Sequence, residues 1–209
     1  PENYVKYSGR LAEELKSSND KGVVWTNQFD NIANYKGHYE TTGKEIWEQT
    51  EGKIDGFICA SGTGGTIAGV SNALKEKNKN IKVYLSDPKG SCLYNYIKTK
   101  EFKSEGNSIT EGIGSSRATK NFEKALIDDA YSIDDTLALT VLFDLIEKEG
   151  LSLGTSSGIN VAGAIKLAQE LGPNKTIVTI LCDKSDRYQG KLFNKKFLME
   201  KNLPYPRWL

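Results

Sequence analysis

Residues 55–70 read Asp55-Gly56-Phe57-Ile58-Cys59-Ala60-Ser61-Gly62-Thr63-Gly64-Gly65-Thr66-Ile67-Ala68-Gly69-Val70, and the fold is decided by how this stretch changes character. An apolar run, Phe57 to Ala60, breaks into small polar and glycine residues and resumes at Ile67 as a small-residue apolar segment. The pattern predicts strand, glycine loop, helix. Such a turn aims unpaired backbone N–H groups and the positive end of a helix dipole at one point, which suits a phosphate. Thr63 and Thr66 can add hydroxyl donors. No Gly-Lys-Ser/Thr follows, so this is not a Walker loop, and the spacing departs from the dinucleotide G-x-G-x-x-G fingerprint. On the loop alone, a phosphate cradle and a plain tight turn both stand open.

Outward from this stretch, strands and helices alternate. Tyr4, Tyr7, Leu11 and Leu15 share a helical face, stopped by Ser17-Ser18-Asn19-Asp20. Gly22 to Thr26 reads as a short strand followed by a polar loop, Asn27 to Asn31, and Thr41 to Thr50 as a helix. Ile81 to Ser86 alternates as a strand and stops at Asp87-Pro88; Ser91 to Thr99 reads as a short helix, and Glu111 to Ser116 as a second glycine loop. Ala130 to Ile133 is a brief strand, followed by an amphipathic helix running to about Lys148 and closed by Gly150. Leu151 to Leu153 repeats the strand logic, Gly154 to Gly158 the small-residue loop, and a helix then runs to Gly172-Pro173. Thr176 to Leu181, a β-branched run, gives the clearest buried-strand signal, with Asp183 to Tyr188 as its polar loop. Leu192 to Met199 predicts a last helix, and Pro204 to Trp208 a tail extended over the surface. The whole predicts an α/β fold with a mainly parallel open sheet and helices on both faces. Loops that follow parallel strands lie at one edge, so Gln28, Gly62 to Thr66, Gly112 to Gly114, Ser156 and Asp183 to Arg187 converge on one pocket.

Bulk properties exclude several classes. A formal charge of +1 over 209 residues implies no general pull toward nucleic acid. No apolar run approaches the ~18 residues of a membrane span. Cys59, Cys92 and Cys182 are odd in number, without CxxC spacing or clustered histidines, which argues against a disulfide framework and a zinc site. Cys59 and Cys182 end apolar runs and read as small buried hydrophobes, in keeping with a reducing, intracellular compartment. The lone histidine, His38, has no catalytic partner nearby in sequence. Asp128, Asp129, Asp134 and Asp135 flank a helix start, where capping and dipole compensation outweigh a metal or acid/base reading. The start, Pro1-Glu2-Asn3-Tyr4, is neither an initiator methionine nor a signal peptide, so the expectation is a chain that begins mid-protein.

Taken in order, Tyr4-Val5-Lys6-Tyr7-Ser8-Gly9-Arg10, Asn27-Gln28-Phe29-Asp30-Asn31, Gly62-Thr63-Gly64-Gly65-Thr66, Glu111-Gly112-Ile113-Gly114 and Gly154-Thr155-Ser156-Ser157-Gly158 resemble the cysteine synthase branch of the fold-type II pyridoxal-phosphate enzymes, which includes cystathionine β-synthases. The resemblance covers essentially the whole chain. Threonine dehydratases and serine racemases of this fold usually carry a Ser-Gly-Gly-Gly-Leu type loop instead. The segments Leu181 to Tyr188 and Leu203 to Leu209 are most similar to yeast mitochondrial cysteine-synthase-like proteins and related bacterial enzymes. The resemblance therefore implies a fold-type II large domain over residues 23–209, a helix from the end of the smaller domain over 1–22, and incompleteness without an amino-terminal portion.

Carried over by position, it implies that Gly62, Thr63, Gly64, Gly65 and Thr66 hold the phosphate of pyridoxal 5'-phosphate. Ser156 would face the pyridine nitrogen, where a hydroxyl supports a weaker electron sink than an aspartate and suits β-elimination and replacement. Gln28 would help bind the amino-acid carboxylate, and Gly112 would approach the cofactor by its backbone. The Schiff-base lysine and the loop that clasps the substrate carboxylate have no counterpart here, so the chain alone is expected to be inactive. The family's usual Leu-Pro-[Asp/Ser]-Ser-Gly-Glu-Arg-Tyr stretch is here Leu181-Cys182-Asp183-Lys184-Ser185-Asp186-Arg187-Tyr188. The expected chemistry is β-replacement or β-elimination on O-acetylserine, serine or cysteine with sulfide or a thiol, in a homodimer, without metal or nucleic acid. Location would be mitochondrial if the yeast-type likeness holds, and cytoplasmic otherwise. Two readings from other classes are an inactive half that docks a partner protein such as an acetyltransferase tail, and a phosphate-metabolite binding module.

Overall fold

The computed structural model describes residues 3–209. The apolar run at its centre forms β1 (Gly56–Cys59), buried at every position and paired in parallel with two neighbours, β2 (Lys82–Pro88) and β4 (Ile177–Thr179). β3 (Asp129–Ile133) adds in parallel to β2, giving the strand order β3-β2-β1-β4. The residue pattern sorts into two faces, as period-2 alternation requires. Phe57, Cys59, Val83, Leu85 and Ala130 meet Ile67, Val70 and Leu74 of α4 (Gly65–Lys77) and Leu93 of α5 (Leu93–Thr99). On the other face, Ile58 and Tyr84 meet Leu167 of α7 (Thr155–Leu171). Val141 and Ala138 of α6 (Asp135–Glu149) then pack with Ile159 and Ala162 of α7. Side chains such as Phe57, Ile58 and Leu85 are fully enclosed, each contributing about 1.5–3 kcal/mol of transfer free energy.

The local chemistry explains the boundaries. Asp134 caps α6 by accepting from the Leu137 N–H at 2.9 Å, and Gly150, at φ +68°, closes it. Asp135 accepts from Ile109 N–H at 2.8 Å, Asp128 from Val83 N–H at 2.8 Å and from Lys75, and Asp129 pairs with Lys98. All four carboxylates thus serve the scaffold. β2 runs through Pro88 because the pairing with β1 stops at Leu85, so the missing proline N–H costs no ladder bond on that side.

Several expectations give way. Gly22 to Thr26 forms no strand: Val24 is 89% exposed and Trp25 instead lies against Gly9 of α1 (Tyr4–Lys16). A β-branched run without a cross-strand partner has nothing to pair with. The segment Leu151 to Leu153 makes only one antiparallel bridge, Leu153 to Lys184. The Thr176 to Leu181 run does form a strand, β4, but it is half-buried rather than buried, because it sits at the sheet edge with β1 on one side only. Gly154 to Gly158 is not a loop: residues from Thr155 onward are the first turn of α7, the hydroxyls being tolerated because N-terminal turns favour them. Asp183 to Tyr188 winds into a 3-10 turn over Ser185–Tyr188, and the last helix splits into α8 (Gln189–Leu192) and α9 (Lys195–Glu200) where the Asn194 side chain caps the latter. Cys59 is buried as expected, but Cys182 is exposed, since it lies just past the edge strand. The tail is anchored by Trp208, whose Nε1–H donates to Glu147 at 2.8 Å. The alternation also missed α2 (Ala33–Glu40), which buries no residue fully and contains Gly37; it leads directly into α3 (Thr42–Gln49).

Candidate cofactor site

The site builds from the carboxyl end of β1. After Cys59 the chain turns at Gly64, whose φ of +85° is a left-handed conformation that a side chain disfavours. α4 begins one residue later, so its first N–H groups, which have no intrahelical partner, point back into the turn with the dipole's positive end. At Gly62 the reason for glycine is different: a Cβ there would collide with the carbonyl oxygen of Gly112. The second glycine loop therefore lies directly on the first, tied by Gly114 N–H donating to Ser61 O at 2.8 Å.

Thr63 and Thr66 are half-buried and both hydroxyls are held from behind. Thr63 Oγ1 accepts from Asn34 Nδ2 at 2.9 Å and from Gly65 N–H at 3.3 Å. Thr66 Oγ1 lies 3.2 Å from His38 Nε2, and His38 Nδ1 lies 3.0 Å from Thr42 Oγ1. Burial pulls the His38 pKa below its usual value, so the ring is neutral near pH 7. The Thr63 carbonyl accepts from Thr119 Oγ1 at 2.6 Å. Fully buried Asn121 donates to Gln28 O at 3.2 Å and to Phe29 O at 2.7 Å, and accepts from Tyr35 N–H at 3.1 Å.

Ser156 is buried at the amino end of α7. One turn further along, Asn160 accepts from Ala60 N–H at 2.6 Å and donates to Ile180 O at 2.7 Å, clamping α7 to the strand end that carries the glycine loop. Although Cys182 is exposed as a residue, its sulfur turns inward to accept from Asn160 Nδ2 at 3.4 Å; burial of the thiol raises its pKa, and the neighbouring Ser156 and Asn160 side chains work against that rise. The Cys182 N–H donates to Ser157 Oγ at 3.0 Å. The structure thus brings Gly62, Gly112 and Gly114 together and ties the Ser156 turn to the end of β1. Gln28 joins the cup differently. Its backbone carbonyl shares the Asn34 amide with Thr63, while the residue itself is exposed beside a cavity of about 260 Å³ lined by Tyr4, Ser8 and Trp25.

Two buried hydroxyls here, Ser61 Oγ and Thr155 Oγ1, have no hydrogen-bond partner. Buried polar atoms ordinarily find one. Orphan hydroxyls on the cup loop and on the first residue of α7, a helix amino terminus with free N–H groups, and a crowded glycine loop fit a group with a phosphate and a polar aromatic ring. Asn34, Thr119 and Asn121 were not legible from the sequence as site residues, since each acts through a contact distant in the chain. The i, i+4 spacing of Asn34 and His38 is the only local signal.

Comparison with known proteins defines the class. Residues 2–183 match the family described as pyridoxal-phosphate dependent enzyme, and the chain belongs to that family. Cofactor and open parallel sheet are those the sequence predicts. Within it, the chain is 47% identical over 208 residues to cysteine synthase 1 of Neurospora crassa, covering 97% of this chain and 54% of that protein. It is 39% identical over 210 residues to a Saccharomyces cerevisiae protein named as a mitochondrial cysteine synthase, covering 93% of this chain and 53% of the relative. The crystal structure of an O-acetylserine dependent cystathionine β-synthase from Helicobacter pylori superposes with a TM-score of 0.76 at 31% identity, over 87% of this chain and 57% of that one. The chain spans about half the length of the relatives it matches.

Proposed function

We propose that this chain is the cofactor-binding part of a cysteine synthase-like enzyme. It would act on O-acetylserine, serine or cysteine by β-replacement or β-elimination, with sulfide or a thiol as nucleophile. The observation that carries the reading is the double glycine loop at the head of α4 facing a seryl helix start. In this reading the N–H groups of Gly62 to Thr66 and the two threonine hydroxyls hold the phosphate. Ser156 hydrogen-bonds the pyridine nitrogen, Gly112 approaches the ring by its backbone, and Gln28 contributes to the substrate carboxylate site. Bound there, pyridoxal phosphate supplies an electron sink for the substrate α-carbon. The chain's own residues anchor and orient: Asn160 fixes the height of the Ser156 turn, and the Gly114–Ser61 bond holds the two loops at one spacing.

Residues 1–22 belong to a smaller domain in this reading, and 23–209 to the large one. No lysine of this chain is the Schiff-base lysine in this reading, so the chain alone is inactive and a further, amino-terminal segment of the same enzyme carries that residue; the enzyme would separately assemble as a homodimer. The mitochondrial name of the yeast relative supports a mitochondrial location. Borohydride reduction of the chain with pyridoxal phosphate, followed by peptide mapping, tests the lysine assignment. Scattered substoichiometric labelling is expected, and one stoichiometric pyridoxyl-lysine overturns it. Sulfide-dependent cysteine formation by the intact gene product tests the activity. Absence of turnover with O-acetylserine, serine and cysteine alike would leave a partner-docking or phosphate-metabolite module instead.

A further inference from the structure

α2 was invisible to pattern reading and has no buried side chain of its own, yet it is pressed tightly against α4. Its residues Asn34 and His38 face Gly65 and Gly69 of α4, where a Cβ would run into each of them. Both pairs are spaced i, i+4, which puts each pair on one helix face. The close approach brings two polar side chains up behind the two threonine hydroxyls of the glycine loop.

Asn34 Nδ2 has two hydrogens: one goes to Gln28 O at 2.9 Å, which can only accept, so the amide orientation is settled and the other goes to Thr63 Oγ1. With Gly65 N–H also pointing at it, both lone pairs of Thr63 Oγ1 are used. Its remaining capacity is to donate. At Thr66 the outcome depends on the His38 tautomer. If Thr42 donates to Nδ1, the proton sits on Nε2, Nε2 donates to Thr66 Oγ1, and the Thr66 hydrogen is free for another acceptor. In the opposite tautomer Thr66 spends its only hydrogen on the ring.

We propose that Asn34 and His38 are positioning residues, a second layer that fixes both threonine hydroxyls of the loop as donors toward a phosphate monoester, with the His38 proton on Nε2. This rests on the reading of the loop as the cofactor's phosphate cup. A hydroxyl donating to a phosphate oxygen makes a charge-assisted bond about twice as strong as a neutral one. Orienting it in advance removes the cost of turning it on binding.

The chain has one histidine, so long-range ¹H–¹⁵N correlation on the full chain reports its tautomer without ambiguity. The Nε2–H form is expected, and the Nδ1–H form overturns the assignment to His38. Binding is read with pyridoxine 5'-phosphate, which lacks the aldehyde and cannot label surface lysines, against pyridoxine. His38→Leu should weaken the phosphorylated ligand by roughly tenfold and leave pyridoxine unchanged. In a Thr66→Val background the same change should cost nothing further, since the two act as one unit. Equal losses in both backgrounds would show that His38 is only structural. If the unaltered chain binds both ligands alike, the cup reading falls first and takes this inference with it.

Discussion

Replacing Gly62 by alanine is the sharpest test of how the two glycine loops meet. Gly62 is not among the positive-φ glycines, so an alanine is sterically acceptable to its own backbone. In an open site the change would stabilise by about 0.4–1 kcal/mol through the unfolded chain. Here the new Cβ would fall inside the 3.0 Å that Cβ atoms essentially never breach, against the Gly112 carbonyl oxygen, which is backbone and cannot swing aside as a side chain would. Overpacking of this kind costs about 1–3 kcal/mol. Parting the loops also strains the Gly114 N–H to Ser61 O bond, worth about 0.5–1.5 kcal/mol. For a chain of this length, at about 2–4 °C per kcal/mol, the two costs together lower Tm by roughly 3–18 °C. Thermal unfolding followed by circular dichroism measures it. Gly112→Ala is the control: it has φ +76° with no atom within 4 Å of the added methyl, so only backbone strain of about 1 kcal/mol applies. An unchanged or raised Tm for Gly62→Ala would refute the stacked-loop geometry.

Asn160 is 1% exposed; Asn160→Leu removes the acceptor of Ala60 N–H and leaves Ile180 O only the weak Cys182 S–H contact at 3.9 Å, so urea unfolding should show a loss of about 2–4 kcal/mol. Burial lifts the Asp87 carboxyl to about 6 while Oδ1 has no partner and Oδ2 accepts from Tyr94 N–H at 2.7 Å. Its folded pKa is above the unfolded value, so this group's contribution to stability is fully present below about pH 4 and is lost as pH rises toward 6. Asp87→Asn should remove that decline, gaining roughly 2–3 kcal/mol relative to the parent between those limits. The opposite sign applies to Asp30, whose pKa is lowered chiefly by its hydrogen bonds from Arg117 at 3.0 and 2.8 Å. That stability is present above about pH 4 and is lost as pH falls through the folded pKa, so Asp30→Asn should differ from the parent at pH 7 and converge with it in acid. The difference stays under about 1 kcal/mol because Arg117 is half exposed.

Much of this architecture was readable because its signals are local. The change from Phe57-Ile58-Cys59 to a glycine run to Ile67-Ala68-Gly69-Val70 fixes strand, turn and helix within sixteen residues, and Asp134 and Gly150 mark their helix ends by side-chain chemistry alone. What was misread depends on partners. Val23-Val24-Trp25 has strand composition but no neighbouring strand, and Ile177-Val178-Thr179 looks buried but lies at an edge. α2 escaped because its side chains are polar and do their work across a helix interface, at Thr63 and Thr66. The same holds for Asn121, which is silent in a polar stretch and completely enclosed in the fold. Candidate site residues carried by backbone geometry, Gly62 and Gly64, were legible; those carried by long-range hydrogen bonds were not.

The central claim is that the Gly62 to Thr66 loop receives the phosphate end of the cofactor. Amide ¹H–¹⁵N shifts of the chain titrated with pyridoxine 5'-phosphate test it most directly. The account predicts that the largest changes fall on the N–H groups from Gly62 to Ile67, with smaller ones at Gly112 and Ser156, and that pyridoxine without phosphate leaves the Gly62 to Ile67 signals in place. Shifts centred instead on the polar cavity of about 410 Å³ beside Lys89, Ser91 and Asn107, with the glycine loop unmoved, would contradict it.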